Sequence, residues 1–76
     1  KLTGIQDGVD GLHLFFYNVD TGNIQFMDES DTDSAGSQAE NRIKVLAGSE
    51  TISGKGCVEL LYDGTAQRWL FLSIHD

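Results

Sequence analysis

The chain has no proline and a single cysteine, Cys57. One cysteine excludes an intrachain disulfide, and without a second Cys or a His/Cys cluster at ligand spacing a structural zinc site is excluded as well. Basic residues are few: five Lys and Arg stand against twelve Asp and Glu, for a net charge of −7. A surface of that sign repels a phosphate backbone and an anionic lipid leaflet, so neither nucleic acid nor a membrane surface is an expected partner. Long apolar runs are missing too. Stretches such as Trp69 to Leu72 fall far short of the ~20 residues of a spanning helix, so no membrane insertion is expected. No initiator Met opens the chain, and it reads as a segment of something longer or a processed product.

Glycine, by contrast, is plentiful, with nine in 76 residues. The glycines separate short apolar stretches that alternate with period two, which is the pattern of strands joined by tight turns. Leu12, Leu14 and Phe16 form one such row, followed by Ile24 and Phe26, Ile43 and Val45, Val58, Leu60 and Tyr62, and Trp69 and Phe71. Between them stand turn signals at Asp7 to Gly11, Asp20 to Asn23, Ala47 to Ser49, Ser53 to Gly56 and Asp63 to Thr65. Each offers a glycine for positive φ and side chains that accept turn hydrogen bonds. The stretch from Asp31 to Glu40 lacks an apolar stripe and reads as an exposed loop. The expected fold is therefore all-β, one domain over residues 1–76: a small antiparallel sandwich or jelly-roll-like module, with strands interwoven among three subunits into a prism as the other arrangement the pattern admits.

Two strands look apolar on both sides. His13, Phe15 and Tyr17 occupy the second face of the first strand, and Leu70, Leu72 and Ile74 that of the last. A strand of a two-layer domain in water is expected to have one wet face, so either a loop of the same chain or a neighbouring subunit is expected to cover the excess. Size argues the same way. A chain this short buries only about 60% of its unfolded surface, and with disulfide and zinc excluded, oligomerisation is the remaining support.

The residues that could carry chemistry are sparse. Asp28 to Asp33 is the densest run of oxygen ligands, and calcium is the cation to test against it. The spacing from Asp31 starts like a calcium loop but puts Ala35 and Arg42 where ligands are required. Asp28 and Glu29 are adjacent, so on a strand they point to opposite faces and cannot flank one glycosidic bond. His13 and His75 are far apart in sequence, His75 stands at an end expected to fray, and Cys57 reads as a small core residue. No phosphate loop or nucleophile elbow is present, so neither a cofactor nor an enzyme active site is expected. Tyr17 and Trp69 carry polar handles on large rings and are the candidate contacts for a glycan.

From Val58 to Trp69 the sequence VELLYDGTAQRW resembles a β-rich module of phage tail-fibre and other virion-appendage proteins. Leu2-Thr3-Gly4-Ile5, Asp10-Gly11-Leu12, Gly22-Asn23-Ile24, Asp28-Glu29-Ser30 and Asn41-Arg42-Ile43 follow in matching order, so the resemblance spans nearly the whole chain. Lys44 to Gly48 and the turn before Cys57 depart from it. The resemblance implies a homotrimer in a fibre, spike or capsid decoration, located in the virion, with a structural or host-contacting role toward other virion proteins or a host surface glycan. It implies structural positions at Asn41, Arg42, Tyr62, Asp63, Arg68 and Trp69, and no catalytic ones. Burial would favour a pairing of Arg42 with Asp63. The reading from another class is a monomeric carbohydrate-binding accessory domain of a larger surface or secreted protein.

Overall fold

The computed structural model describes residues 1–19, 21–46 and 48–75. The turns expected around Asp20 and Ala47 therefore lie partly outside the described residues. The chain is all-β, with strands β1 (His13–Asn18), β2 (Ile24–Phe26), β3 (Ile43–Lys44), β4 (Glu50–Ile52), β5 (Gly56–Asp63) and β6 (Arg68–His75). Four of them form one sheet in the order β1-β5-β6-β3, and β2 pairs with β4 in a two-stranded ribbon. The pairings are antiparallel except for β3 with β6, which run parallel. That parallel pair places Ile43 opposite Trp69 and is what brings the middle of the chain onto the sheet.

The strands form where alternation is strong. β5 alternates buried and half-buried residues along its whole length, with Val58, Leu60 and Tyr62 inward as their spacing predicts. Their neighbours across the ladder, Leu14 and Phe16 on β1 and Trp69 and Phe71 on β6, share the inward face. The β2–β4 ribbon lies over this face: Phe26 meets Phe16 and Phe71 edge-on, with ring centroids 5.4 and 5.5 Å apart. Ile43, Val45 and Ile52 complete the core.

One irregularity changes which residues share a face. The β5–β6 ladder pairs Leu60 with Phe71 but Glu59 with Ser73, so Leu72 is an extra residue, a β-bulge. Beyond it the alternation is shifted by one, and Ile74 turns onto the core side. The expectation that Leu70, Leu72 and Ile74 form a second face of the last strand is thus corrected. Leu72 is exposed, Leu70 stands on the outer face beside Leu61, and Ile74 packs inward.

The stretch from Asp31 to Glu40 is not a plain loop. It makes two short 3₁₀ turns, Thr32–Gly36 and Ala39–Asn41, and Ser34 is fully buried, its hydroxyl donating to the Asp28 carbonyl at 2.7 Å. Strand β4 is also absent from the alternation pattern, because Ile52 is its one apolar residue. His75 is the last residue of β6, opposite Cys57. Cys57, expected in the core, lies on the outer face, half-buried.

Candidate functional site

The six positions singled out by the sequence gather at one end of the sheet, where Tyr62 and Trp69 are buried and Asn41, Arg42, Asp63 and Arg68 are half-buried. Trp69 is 1% exposed, its ring edge-on to Tyr62 at 5.2 Å, and its Nε1 donates to the Ile5 carbonyl at 2.9 Å. The Tyr62 hydroxyl donates to the Glu40 carbonyl at 2.8 Å. Asn41 receives the Ile5 N–H on its carbonyl, and the Arg42 carbonyl receives the N–H of Trp69. Among the described residues no buried side-chain nitrogen or oxygen lacks a hydrogen-bond partner, as a low-dielectric interior requires.

Two expectations fail here. Trp69 is too buried to stack on a glycan, which leaves Tyr17, 61% exposed, as the remaining candidate contact. Arg42 and Asp63 do not pair. Arg42 Nε donates to the Ser37 carbonyl at 3.1 Å, while Asp63 Oδ1 accepts the N–H groups of Thr65 and Ala66 and so closes the β5–β6 turn. Of the two arginines in this group, Arg68 is the one that meets a carboxylate, its Nε lying 2.9 Å from Glu29 Oε1.

The acidic run from Asp28 to Asp33 is disassembled in the same way. Asp28 Oδ1 accepts the Val45 N–H at 2.8 Å, and its other oxygen accepts both the N–H and the hydroxyl of Ser30. Burial pushes the Asp28 carboxyl up, but the Ser30 hydroxyl and the backbone donors of Val45, Ser30 and Glu29 outweigh it and hold it below the usual carboxylate range. Asp31 caps the first 3₁₀ turn through the Asp33 N–H, and Asp33 pairs with Lys1 at 2.7 Å. The carboxylates point to separate partners instead of converging on a cation. Among the described residues no group of three or more His, Cys, Asp or Glu side chains is arranged to hold a metal ion.

The outer face of the sheet was only partly visible in the sequence. At its centre Glu59 meets His13 Nε2 at 2.5 Å, the Ser73 hydroxyl at 3.0 Å and His75 Nε2 at 3.4 Å. These donors, His75 first, hold the Glu59 carboxyl below its ordinary value. Ser73, His75 and Glu59 do not form a nucleophile relay. Such a relay needs an imidazole that bridges hydroxyl and carboxylate through opposite nitrogens, whereas His75 meets both through Nε2. Around this polar centre lie Phe15, 58% exposed, and Tyr17 on β1.

Two concave regions flank the sheet. A polar cleft of about 420 Å³ is lined by Gln6, Asp7, Gly8, Gln38, Glu40, Asn41 and Tyr62. An apolar groove of about 320 Å³ runs along β6 beyond the end of β3. Val45, Phe71 and Ile74 line it together with Leu46, which is 90% exposed, and Leu72, and among the described residues the one charged residue at its wall is Glu50. The sequence singles out Leu72 and Ile74 as apolar residues in excess, but not the groove, because the bulge that sets their orientation has no residue signature.

Comparison with protein families, characterised proteins and solved structures brings no match. Among the described residues no helix is long and apolar enough to cross a membrane. What the fold and its surfaces define is a small all-β module with an open apolar groove at one margin of its main sheet.

Proposed function

We propose that the chain is a non-catalytic, self-assembling β module that serves as a structural or host-contacting unit of a virion appendage. The observation that carries the assembly half is the groove along β6, where Leu46 at 90% and Leu72 at 48% exposure stand in open solvent beside Phe71 and Ile74. Apolar side chains clustered in this way on a small domain mark a contact surface, and copies of the chain are the occupant that the size argument calls for. The virion setting and a three-copy arrangement come from the resemblance of Val58 to Trp69 and its flanking segments to tail-fibre modules.

Sedimentation equilibrium tests this reading. A mass three times the 8.3 kDa protomer, lost on Leu46→Asp with the circular dichroism unchanged, supports it. A monodisperse monomer at tens of micromolar overturns it.

The exposure of Tyr17 beside Phe15 favours one second reading, a carbohydrate-binding accessory domain, since exposed rings on a sheet are the usual sugar platform. Reproducible glycan binding that Tyr17→Ala abolishes would favour that reading over assembly.

A further inference from the structure

We infer that β1 is a self-pairing edge: two copies of the chain join antiparallel along it, with a two-fold axis at Phe15, into one eight-stranded sheet. The inference uses the margin of the sheet opposite the groove and stands without it.

The backbone makes the first part of the case. The Tyr62 N–H donates to the Leu12 carbonyl at 2.9 Å, and the Gly11 N–H donates to the Tyr62 carbonyl. With the register that pairs His13 to Leu61 and Asn18 to Gly56, antiparallel alternation directs the N–H and C=O groups of Leu14, Phe16 and Asn18 toward β5. Those of His13, Phe15 and Tyr17 therefore point away from the sheet. β1 is the terminal strand in the order β1-β5-β6-β3, so these groups form an open row.

Natural sheets protect such a row with charge, proline, a bulge or a very short strand. β1 has none of these. It reads HLFFYN, six residues in unbroken register with β5, and the chain, with twelve carboxylates, places not one of them on it. A strand that mates with its own copy must be free of like charge, because every residue meets itself or a near neighbour across the axis.

Face and hydrogen-bond direction then agree on one register. Antiparallel partners share a face, so a pairing of Phe15 with Phe15 of the second copy sets His13 opposite its Tyr17, and Leu14 opposite its Phe16. The outward groups of His13, Phe15 and Tyr17 supply ~6 hydrogen bonds between the copies. The exposed row of His13, Phe15 and Tyr17 becomes a continuous aromatic strip. Its geometry is already begun within one copy, where the His13 and Phe15 rings stand 5.0 Å apart. The core sides of the two sheets also remain on one side, so both cores stay intact.

Backbone hydrogen exchange on the pure chain tests this directly. The amides of His13, Phe15 and Tyr17 are expected to slow by on the order of tenfold between micromolar and about millimolar chain, while Leu14 and Phe16 stay protected at both. Phe15→Pro removes only an outward N–H, which an edge strand tolerates, and Phe15→Lys adds an edge charge. Both are expected to abolish the two-copy contact, halving the assembled mass with unchanged circular dichroism. Two results each overturn the inference: amides that exchange fast at every concentration, or a mass that both variants leave unaltered. A three-copy mass that Leu46→Asp leaves intact, with these amides still slowed at high concentration, would sink the groove reading and leave this one standing.

Discussion

A Cβ atom placed on Gly8 would stand 2.3 Å from the ring of Tyr62. The Tyr62 ring cannot move aside freely, since its hydroxyl is bound to the Glu40 carbonyl and its edge meets Trp69. Gly8 is thus required by close approach, not by backbone conformation. Gly8→Ala is expected to destabilise the chain by about 1–3 kcal/mol through overpacking. The urea midpoint measures it, and an unchanged midpoint would show that the ring is looser than its contacts imply.

Asp28 is the expected weak point of the loops. It holds Val45 and Ser30 through its carboxylate, Ser34 through its carbonyl and Ser49 through its N–H. Asp28→Ala leaves the N–H of buried Val45 without its acceptor, at a cost of about 1–3 kcal/mol, while the exposed Ser30 donors can turn to water. By comparison Glu29→Gln, which breaks the half-exposed pair with Arg68, is expected to cost no more than about 1 kcal/mol. Thermal melts of the two variants check the order.

Stability should fall in acid. Asp28 and Glu59 both have carboxyls held below their ordinary values of 3.8 and 4.5. A group whose folded pKa is depressed contributes stability that is fully present above its unfolded pKa and is lost as pH falls through the folded one. The melting temperature is therefore expected to be flat in these two groups from neutral pH down to about 5 and to drop below about 4. Asp28→Ala should make that drop shallower; an acid limb identical to the parent's would assign it to other carboxylates.

Trp69 and Tyr17 separate core from surface. Trp69→Ala removes a fully buried ring and orphans the Ile5 carbonyl, and is expected to cost about 3–5 kcal/mol. Tyr17→Ala, at an exposed position, is expected to change the stability of an isolated copy by no more than about 0.5 kcal/mol. Chemical denaturation at low concentration, where association is absent, measures both.

How far the sequence went is clearest in β5 and β6. Val58, Leu60, Tyr62, Trp69 and Phe71 declare their inward face by strict alternation, and the structure puts them there. The same rule misplaces Ile74, because an extra residue in a strand is defined by its partner's register and leaves no trace in its own letters. Ile52 carries β4 almost alone, too little for a period to show. The parallel pairing of β3 with β6 joins residues far apart in the chain, which no local pattern encodes. Among the candidate residues, Asn41, Arg42, Tyr62, Asp63, Arg68 and Trp69 do cluster at one end of the sheet. Their partners were not legible: Arg42 donates to the carbonyl of Ser37 and Asp63 accepts from its own turn, since short-range partners reached both first.

The bulge at Leu72 makes this one residue removable. Taking it out would join Phe71 directly to Ser73 and restore simple alternation from Trp69 to His75, with each remaining side chain on the side it already occupies. A lineage could thus gain or shed the groove's rim by a single-codon insertion or deletion, and leave the interior untouched. In this chain a surface feature and the packed interior are written in separable letters, so the one can change while the other is conserved.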